Sequence, residues 1–241
     1  MKVVIVTGAA SGIGRAVAAD LASDHRVVAV DWNASALRAA TPPAAQVLTT
    51  ADVTDEQQVQ DVVDMAVAEF GGVDGLVHCA GIEEPVMPAI DMPAEVFRRT
   101  VEVNLYGSFL VCRAVAAHLR STGRPGSLVL IGSILSQVAW GGNLAYTASK
   151  GGVLQLGRGF AVELAGSGIR VNVIGPGIVA TPMSQATIDD PQRAPRILER
   201  VPIGRFAEPA EVAAVARFLL SDAASYITGT FLPVDGGWLS L

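Results

Sequence analysis

A tyrosine and a lysine stand four residues apart, at Tyr146 and Lys150, and Ser133 lies thirteen positions before the tyrosine. Positions i and i+4 of a helix share one face, so a helix here would hold the phenol beside the lysine. A phenol titrates near pH ~10 and needs a fixed cation beside it to exchange protons at neutral pH. A hydroxyl at Ser133, on the strand before this helix, would hold a substrate oxygen within reach of the phenol. These residue types at this spacing predict protonation or deprotonation of an alcohol.

The start of the chain supplies a second chemical motif, a glycine-rich turn. A short β-branched run from Lys2 to Val6 leads directly into Thr7-Gly8-Ala9-Ala10-Ser11-Gly12-Ile13-Gly14. This order predicts a strand, a tight loop and a helix, with a spacing that differs from the G-x-G-x-x-G fingerprint. The three glycines allow a tight turn, close approach to a pyrophosphate and packing of the helix on the sheet. The helix N-terminus offers free N–H groups and a positive dipole end to phosphate.

Together these motifs resemble those of the short-chain dehydrogenase/reductase family. The resemblance rests on Thr7-Gly8-x-x-x-Gly12-Ile13-Gly14 combined with Ser133, Tyr146 and Lys150. It covers nearly the whole chain, because further family motifs follow in the expected order: Asn104, Pro176-Gly177, Thr181-Pro182-Met183 and Val234-Asp235-Gly236-Gly237. The resemblance implies a Rossmann-type fold and hydride transfer between a nicotinamide cofactor and a secondary alcohol or ketone.

Apolar strand-like runs alternate with longer helical patterns along the chain. This alternation predicts an α/β fold with a doubly wound parallel sheet of about seven strands and helices on both faces. With 241 residues, no linker and no internal repeat, the chain is predicted to be one domain spanning 1–241. Six predicted strands follow the one at Lys2–Val6: Val27–Asp31, Gln46–Thr50, Gly75–Cys79, Ser127–Gly132, Arg170–Ile174 and Thr230–Val234.

Three other segments carry predictions about helices and the site. The sequence Thr54-Asp55-Glu56-Gln57 predicts a capping box that starts a helix running to about Phe70. A long helical pattern extends from about Glu95 to Leu119. Segment 181–205 is rich in proline, charge and methionine, which predicts an excursion from the sheet that covers the active site.

Asp31 ends the second predicted strand, seventeen positions after Gly14. This is near the place where an acidic residue accepts hydrogen bonds from the adenine-ribose hydroxyls, and a carboxylate there would repel a 2′-phosphate. Basic residues are absent from the two positions where the family holds that phosphate, since position 11 is serine and position 32 is tryptophan. We therefore predict NAD as the cofactor. The alternative is that Arg15, in the helix after the glycine loop, admits NADP.

The resemblance implies cofactor contacts outside the glycine loop. Asp52 and Val53 would border the adenine ring, although the Asp52 side chain is equally well explained as a turn residue. Ala80 and Gly81 would allow close backbone approach, while Cys79 replaces the asparagine of the family and is a poor substitute in its sheet-stabilising contact. The complete predicted cofactor set is Gly8, Ser11, Gly12, Ile13, Gly14, Asp31, Asp52, Val53, Ala80, Gly81, Tyr146, Lys150, Pro176, Val179 and Thr181.

The catalytic hypothesis assigns one task to each residue. Tyr146 exchanges the proton, Lys150 favours the phenolate, and Ser133 orients the oxygen and stabilises its developing charge. Asn104 joins them by resemblance, because this asparagine in the family holds a water that relays protons to the lysine. The alternative is a local kink of the helix without a catalytic part. Ser136, ten residues before the tyrosine and off the family spacing, competes with Ser133.

The sequence leaves the substrate open among many alcohols and ketones, as it does the direction of the reaction. Arg193, Arg196 and Arg200 could meet an acidic substrate, but acidic residues are interspersed among them, which favours solvated charge. The alternatives to an alcohol dehydrogenase are a 3-oxoacyl thioester reductase and a non-catalytic NAD(H)-sensing protein. Candidate pocket residues are Ile134, Gln137, Trp140, Met183 and Glu83.

Composition limits the partners of this chain. A net charge of −6 with scattered basic residues leaves no electrostatic footprint for nucleic acid or an anionic membrane. Every strongly apolar run is much shorter than the ~20 residues of a bilayer helix, and no signal peptide is recognisable. Cys79 and Cys112 show neither metal nor disulfide spacing. We therefore expect no metal, no membrane, no nucleic acid and a cytoplasmic location.

The predicted helix that carries Tyr146 is unusually rich in glycine, at 151, 152, 157 and 159. Each glycine costs roughly 0.5–1 kcal/mol relative to alanine in a helix interior, so close approach of another helix is expected. Relatives assemble by packing this helix and the Asn104 helix against their copies. The resemblance therefore implies a homotetramer, with a homodimer as the alternative.

Overall fold

Seven strands form one sheet in the computed structural model, which describes residues 1–40 and 47–241. The strands are β1 Val3–Thr7, β2 Arg26–Asp31, β3 Val47–Thr50, β4 Gly75–His78, β5 Gly126–Ile131, β6 Ile169–Pro176 and β7 Phe231–Val234. Their order is β3-β2-β1-β4-β5-β6-β7, and every neighbouring pair is parallel. The order reverses between β1 and β4, which opens a crevice at the carboxyl ends of these strands.

The predicted strands are all present, with ends that differ by up to two residues. The largest extension is in β6, where Pro176 still pairs with Val234 of β7. Gln46, the first residue of the predicted third strand, lies outside the described residues. The doubly wound parallel sheet predicted from the alternating pattern is confirmed.

Both faces of the sheet are buried under helices. Alternate residues of β1 point to opposite faces, so Val3 and Ile5 enter one hydrophobic cluster while Val4 and Val6 enter another. The first cluster contains residues of α3, α5 and α6, and the second contains residues of α1, α2 and α9. The helices are α1 Gly12–Leu21, α2 Ala34–Ala40, α3 Glu56–Phe70, α4 Ala94–Val101, α5 Gly107–Ser121, α6 Leu144–Leu164, α7 Gln185–Ile188, α8 Arg193–Leu198 and α9 Pro209–Leu220.

The start of α3 corrects one sequence prediction. The helix ends at Phe70 as predicted, but its N-cap is Asp55, so the capping box beginning at Thr54 is wrong. The Asp55 carboxylate accepts hydrogen bonds from the backbone N–H groups of Gln57 and Gln58. The Thr54 hydroxyl instead donates to Asp52, which removes it from the cap. A carboxylate reaches the same N–H groups and also interacts favourably with the helix dipole.

The long helical pattern predicted from Glu95 to Leu119 is interrupted in its middle. Helix α4 passes into a π-helical turn, Glu102–Tyr106, before α5 begins at Gly107. Such turns insert a residue into the ladder and are frequent at functional sites. Asn104 lies at the centre of this turn and is fully buried.

Segment 181–205 leaves the sheet after β6 and contains the short helices α7 and α8. It returns to the body of the fold through a bridge in which Val179 pairs with Ala207. The segment therefore forms a flap anchored at both ends, as an excursion over the carboxyl ends of the strands requires. Within the described ranges, no helix combines the length and apolar character of a bilayer crossing.

Candidate active site

Tyr146 stands where two cavities meet. The larger cavity, of about 410 Å³, is lined by the glycine loop, the end of β2 and the segment after β4. The smaller, of about 130 Å³, is lined by Ser133, the segment after β6 and the flap 181–205. Tyr146 belongs to the walls of both. The Tyr146 phenol can therefore contact a molecule bound in either cavity.

The glycine loop shapes the larger cavity through its backbone. Gly8 has φ +68°, and a Cβ at this position would lie 2.8 Å from the backbone nitrogen of Ala80. A Cβ on Gly14 would overlap the Gly8 carbonyl group. Helix α1 begins at Gly12 without a side-chain cap from Ser11, so its first N–H groups remain available to a phosphate. The loop has the cradle that a dinucleotide pyrophosphate requires.

Asp31, the last residue of β2, lies in the wall of the larger cavity. Its carboxylate is 8% exposed and accepts hydrogen bonds from the backbone N–H of Ala10 and of Asn33, both at 3.0 Å. The carboxylate is thereby held against the glycine loop and in the cavity wall, beside an exposed Trp32. Arg15, the residue that could have admitted a 2′-phosphate, is exposed on α1 and is absent from the described lining of the cavity.

Asp52, Val53, Ala80 and Gly81 also line the larger cavity, as the resemblance implied. The Asp52 carboxylate accepts hydrogen bonds from the backbone and the hydroxyl of Thr54, so it is a turn residue as well as a wall residue. The predicted set is completed by Pro176, Val179 and Thr181, which line the smaller cavity; Thr181 borders both. The structure thus brings every predicted cofactor residue to the two connected cavities.

His78, the last residue of β4, is buried, and Cys79, the next residue, is partly buried in the wall of the larger cavity. Burial raises the pKa of the Cys79 thiol to about 12. Burial, followed by the charge of Lys150, lowers the pKa of His78 to about 3. Support for this strand end comes from β1, because the Thr7 hydroxyl accepts the backbone N–H groups of Cys79 and Ala80 and also contacts His78 Nδ1 at 2.8 Å.

Helix α6 places Lys150 one turn after Tyr146, with its Nζ 5.5 Å from the centre of the phenol ring. The lysine is buried and donates a hydrogen bond of 2.8 Å to the Ile131 carbonyl at the end of β5. Burial lowers the pKa of Lys150 to about 8. The ammonium form is therefore present at neutral pH, close to the point at which it loses its proton.

The surroundings of Tyr146 keep its phenol protonated. Burial raises the pKa of Tyr146 above its ordinary value, the carboxylates of Glu83 and Glu84 raise it further, and a hydrogen bond with Ser133 lowers it. The sequence hypothesis considered only the charges that favour phenolate, those of Lys150 and of an oxidised nicotinamide. Burial and the two carboxylates act in the opposite direction, because both disfavour a negative charge on the phenol oxygen.

Glu84 was not anticipated from the sequence. It is 5% exposed, and both carboxylate oxygens accept the backbone N–H of Tyr146, at 3.1 and 3.0 Å. The N-cap residue of α6, Asn143, makes no side-chain cap and instead donates to Glu83 at 2.6 Å. A carboxylate from a distant loop thus satisfies the start of the helix that carries the phenol.

Ser133 and Ser136 have different positions and partners. Ser133 lies two residues after the end of β5, lines the smaller cavity and lowers the pKa of Tyr146 through a hydrogen bond. Ser136 accepts the Ser133 backbone N–H and donates to the Lys150 carbonyl at 2.8 Å, so its hydroxyl is engaged in holding the turn against α6. Only the first of these two hydroxyls faces the phenol.

Asn104 is tied to the segment after β4. Its side chain exchanges two hydrogen bonds of 2.8 Å with the backbone of Ile82 and donates to Ser149 on α6. A Cβ on Gly81 would lie 3.1 Å from the Asn104 Oδ1 and 3.5 Å from the Lys150 Nζ, so both groups surround this glycine. The helix is therefore distorted at Asn104, as one of the two hypotheses for this residue predicted, and its side chain links this turn to the segment after β4 and to α6.

The smaller cavity is mostly apolar, and it contains four of the five predicted pocket residues: Ile134, Trp140, Met183 and Glu83. The prediction that Gln137 lines the pocket was wrong, because this residue is absent from the described lining. It follows a short helical turn and is exposed. Trp238 was missed. It directly follows the motif that ends at Gly237 but is not part of it, and it contacts Trp140 edge to face at 5.4 Å between ring centres.

The chemistry available at Tyr146 depends on the groups gathered around it. They are the Tyr146 phenol, the Lys150 amine and the Ser133 hydroxyl, where the larger cavity meets the smaller, mostly apolar one. The described residues contain no group of three or more histidine, cysteine, aspartate or glutamate side chains that could hold an ion. The groups present are those needed to move a proton on an alcohol oxygen.

Comparisons with known proteins agree with this chemistry. A family model described as Enoyl-(Acyl carrier protein) reductase matches residues 8–239. The cis-4-hydroxycyclohexanecarboxylate dehydrogenase of Sinomonas cyclohexanicum is 42% identical over 100% of this chain and 97% of its own length. The 2-(R)-hydroxypropyl-CoM dehydrogenase of Xanthobacter autotrophicus is 40% identical over 100% of this chain and 99% of its own.

Solved structures give the same result. A short-chain type dehydrogenase/reductase from Mycobacterium ulcerans superposes with a TM-score of 0.94 at 34% identity, covering 99% of this chain and 90% of that one. The chain belongs to the short-chain dehydrogenase/reductase family. It is an oxidoreductase, and its relatives act on CH–OH groups of small molecules.

Proposed function

We propose that this protein is an NAD-dependent dehydrogenase that interconverts a secondary alcohol and its ketone. The observation that carries the proposal is the position of Tyr146 in the walls of both cavities. Lys150 and Ser133 lie on either side of the phenol, one buried and cationic, the other hydrogen-bonded with it. This arrangement suits a substrate in the smaller cavity whose oxygen faces the phenol.

Each residue has a defined task in the proposed reaction. The Ser133 hydroxyl binds the substrate oxygen, and Tyr146 accepts the hydroxyl proton during oxidation or donates it during reduction. Lys150 stabilises the phenolate that forms. Bound NAD would supply the hydride acceptor and a positive charge near the phenol. Asn104 would hold a relay water near the lysine, a role that its location on the other side of Gly81 supports.

The preference for NAD over NADP rests on Asp31. Its buried carboxylate would accept hydrogen bonds from the adenine-ribose hydroxyls and would repel a 2′-phosphate at the same place. The described residues next to it in the cavity wall, Trp32 and Asn33, offer no compensating positive charge. Two described basic residues line the cavity farther along the chain: Arg99 forms ion pairs with Asp52 and Glu102, and Lys150 lies beside Tyr146.

A homotetramer, with a homodimer as the alternative, is part of the proposal. Two of the glycines in α6 are explained within the chain, since a Cβ on Gly152 would meet Leu105 and one on Gly157 would meet Val173. Gly151 and Gly159 have no atom of the described chain within 4 Å of such a Cβ. Packing against a copy of the same helix would account for them, and light scattering at micromolar concentration tests it.

The decisive experiment compares the wild type with Tyr146→Phe. NADH formation is followed at 340 nm with a panel of secondary alcohols, and NADH consumption with ketones and a 3-oxoacyl thioester. We expect turnover by the wild type and a loss on the order of 10² to 10⁴ in the variant, with unchanged NADH binding by fluorescence titration. The control is Tyr106→Phe, because Tyr106 is exposed; its rates should match those of the wild type.

The other outcomes identify the alternatives. Near wild-type turnover by Tyr146→Phe would refute the mechanism. Turnover of the thioester alone would favour the oxoacyl reductase, and NADH binding without turnover of any compound would favour a sensing protein.

A further inference from the structure

We propose that the substrate is a secondary alcohol that carries a carboxylate, and that Arg193 binds this carboxylate in the wall of the smaller cavity. This inference rests on the proposed function, since it names the substrate class of the same site. It gives Arg193 a binding role, whereas the sequence pattern favoured solvated charge for this residue.

The walls of the smaller cavity contain two charged side chains among the described residues, Glu83 and Arg193. Most of the remaining wall is apolar, including two indoles and several isoleucines. A neutral hydrocarbon alcohol would need no arginine in such a cavity, and an unpaired guanidinium is costly to keep in partly apolar surroundings. The polar groups of the cavity therefore indicate a substrate that is itself charged.

The three arginines of the flap, which the sequence could not tell apart, have different surroundings. Arg196 is exposed and absent from the described cavity lining. Arg200 lies over the rings of Trp140 and Trp238, with its guanidinium carbon 5.7 and 4.9 Å from their centres. Arg193 is partly buried and lines the cavity. One arginine of the three is placed to meet a substrate.

The guanidinium of Arg193 has donors to spare. It makes no hydrogen bond and no ion pair within 4.0 Å with any described residue. The neighbouring acids are engaged elsewhere: Asp190 accepts backbone N–H groups of Gln192 and Arg193, and Asp189 accepts from Gln185. A guanidinium has five N–H donors in a planar fork that matches a carboxylate. Asp189 and Asp190, which are near this arginine in the sequence, therefore form no ion pair with its guanidinium.

Glu83 gives the cavity a direction. Its carboxylate is held by Asn143 at 2.6 Å and raises the pKa of Tyr146, so it lies on the phenol side of the cavity. Arg193 lines the same cavity and lies within electrostatic range of this carboxyl, so a substrate carboxylate would be repelled by Glu83 and attracted to the guanidinium. A hydroxy acid would therefore enter with its carboxylate toward α8 and its hydroxyl toward Tyr146 and Ser133. Bidentate recognition by one arginine suits a carboxylate.

The kinetic test uses two substrates with one skeleton, 3-hydroxycyclohexanecarboxylate and its primary amide. In Arg193→Gln we expect kcat/KM for the acid to fall on the order of 10- to 100-fold, mainly through KM. The value for the amide should stay within about twofold. Arg193→Lys should recover part of the loss for the acid. Arg196→Gln is the matched control and should leave both substrates unchanged.

Glu83→Gln provides a test of opposite sign. Removing this negative charge should lower KM for the acid and leave KM for the amide nearly unchanged, if the carboxylate binds opposite Glu83. Equal losses for acid and amide in Arg193→Gln, with wild-type melting temperature, would overturn the inference. So would a wild-type enzyme that oxidises the amide as efficiently as the acid.

A measurement without turnover separates this inference from the proposed function. Quenching of tryptophan fluorescence by cyclohexanecarboxylate and by cyclohexanecarboxamide is compared in a Trp32→Phe background, which leaves Trp140 and Trp238 as the reporters. We expect tighter binding of the carboxylate, lost in Arg193→Gln. If no alcohol is oxidised while this selectivity is seen, the proposed reaction fails and the anion site remains. Oxidation of alcohols without any preference for the carboxylate refutes the anion site alone.

Discussion

The two cavities that meet at Tyr146 are built from different materials. The larger one is shaped by backbone atoms: a Cβ added to Gly8 would overlap the backbone of Ala80, and a Cβ added to Gly14 would overlap the Gly8 carbonyl group. The smaller one is shaped by side chains from four separate parts of the chain, including Glu83, Trp140, Arg193 and Trp238. A cavity whose walls are backbone atoms keeps one shape and binds one kind of ligand. A cavity whose walls are side chains can bind a different ligand after a single substitution.

This contrast explains how one fold serves many substrates. The larger cavity should tolerate few substitutions and lose function steeply, because its geometry depends on positions that only glycine can occupy. The smaller cavity should tolerate many substitutions and change selectivity gradually. The following predictions test that difference, and they run from the largest expected effect to the smallest.

Gly8→Ala should have the largest effect. Its new Cβ would lie 2.8 Å from the Ala80 nitrogen in a backbone with φ +68°, so the loop must move. We expect the Kd for NADH to rise about 100-fold or more, and stability to fall by about 2 kcal/mol. The control is Gly71→Ala, at φ +78° with no atom within 4 Å of the new Cβ. It should cost about 1 kcal/mol and leave the Kd unchanged.

Lys150, in the wall of the larger cavity, should make stability depend on pH. Its pKa is about 8 in the folded chain and about 10.4 when unfolded. Between these values the unfolded state binds one proton more, so stability rises with pH through this window. Unfolding free energies by urea titration should show this rise, on the order of 3 kcal/mol, as the difference between wild type and Lys150→Met.

The control for this difference is Lys2→Met, because Lys2 is the other lysine of the sequence and lies exposed. Its difference from the wild type should stay nearly flat over the same window. A flat difference for Lys150→Met would contradict the low pKa of the buried amine. The difference between variants is the useful quantity, because buried Cys79 and Cys112 lower the stability of both as pH rises above about 9.

Asp31→Asn should change cofactor choice without breaking the loop. The amide retains an acceptor for the Ala10 or Asn33 N–H but removes the negative charge. We expect the ratio of kcat/KM for NADP to that for NAD to rise on the order of 10- to 100-fold. Asp52→Asn, in the same cavity wall, should change the ratio by less than about threefold. An unchanged ratio in Asp31→Asn would remove the basis for preferring NAD.

Trp140→Phe should have the smallest effect. The ring remains apolar but packs less fully against Trp238 and Arg200, a difference worth about 1 kcal/mol. We expect KM for the alcohol to change by less than about fivefold and the Kd for NADH to stay the same. A loss of NADH binding would show that the two cavities are not independent.

The same contrast decides what could be predicted from the sequence. The backbone cavity was predictable, because glycine spacing at 8, 12 and 14 and an acid at Asp31 encode it locally. The alternation of strands and helices encodes the sheet that carries these residues. The errors at Thr54 and Gln137 are local too, since a neighbouring carboxylate and a short helical turn decided them.

The side-chain cavity was predictable only in part. Arg193 and Arg200 are seven residues apart and would share a face on a continuous helix. Helix α8 ends at Leu198, so the two guanidinium groups diverge, and no local pattern indicates which of them reaches the cavity. Trp238 and Glu84 are brought to the site from distant segments. Such contacts depend on the packing of the whole fold.

The hydrogen bond that the Tyr146 backbone N–H donates to Glu84 ties helix α6 to the segment after β4, which borders the larger cavity. Gly81 and Glu84 are three residues apart, so the chain that would touch the cofactor also clamps the first turn of α6. A displacement of segment 81–84 would therefore move the phenol and this wall of the larger cavity together. Exchanging the flap 181–205 between family members can therefore change the substrate. Exchanging segment 81–84 would instead displace the Tyr146 phenol relative to the bound cofactor, so that proton transfer and hydride transfer no longer occur on one aligned substrate.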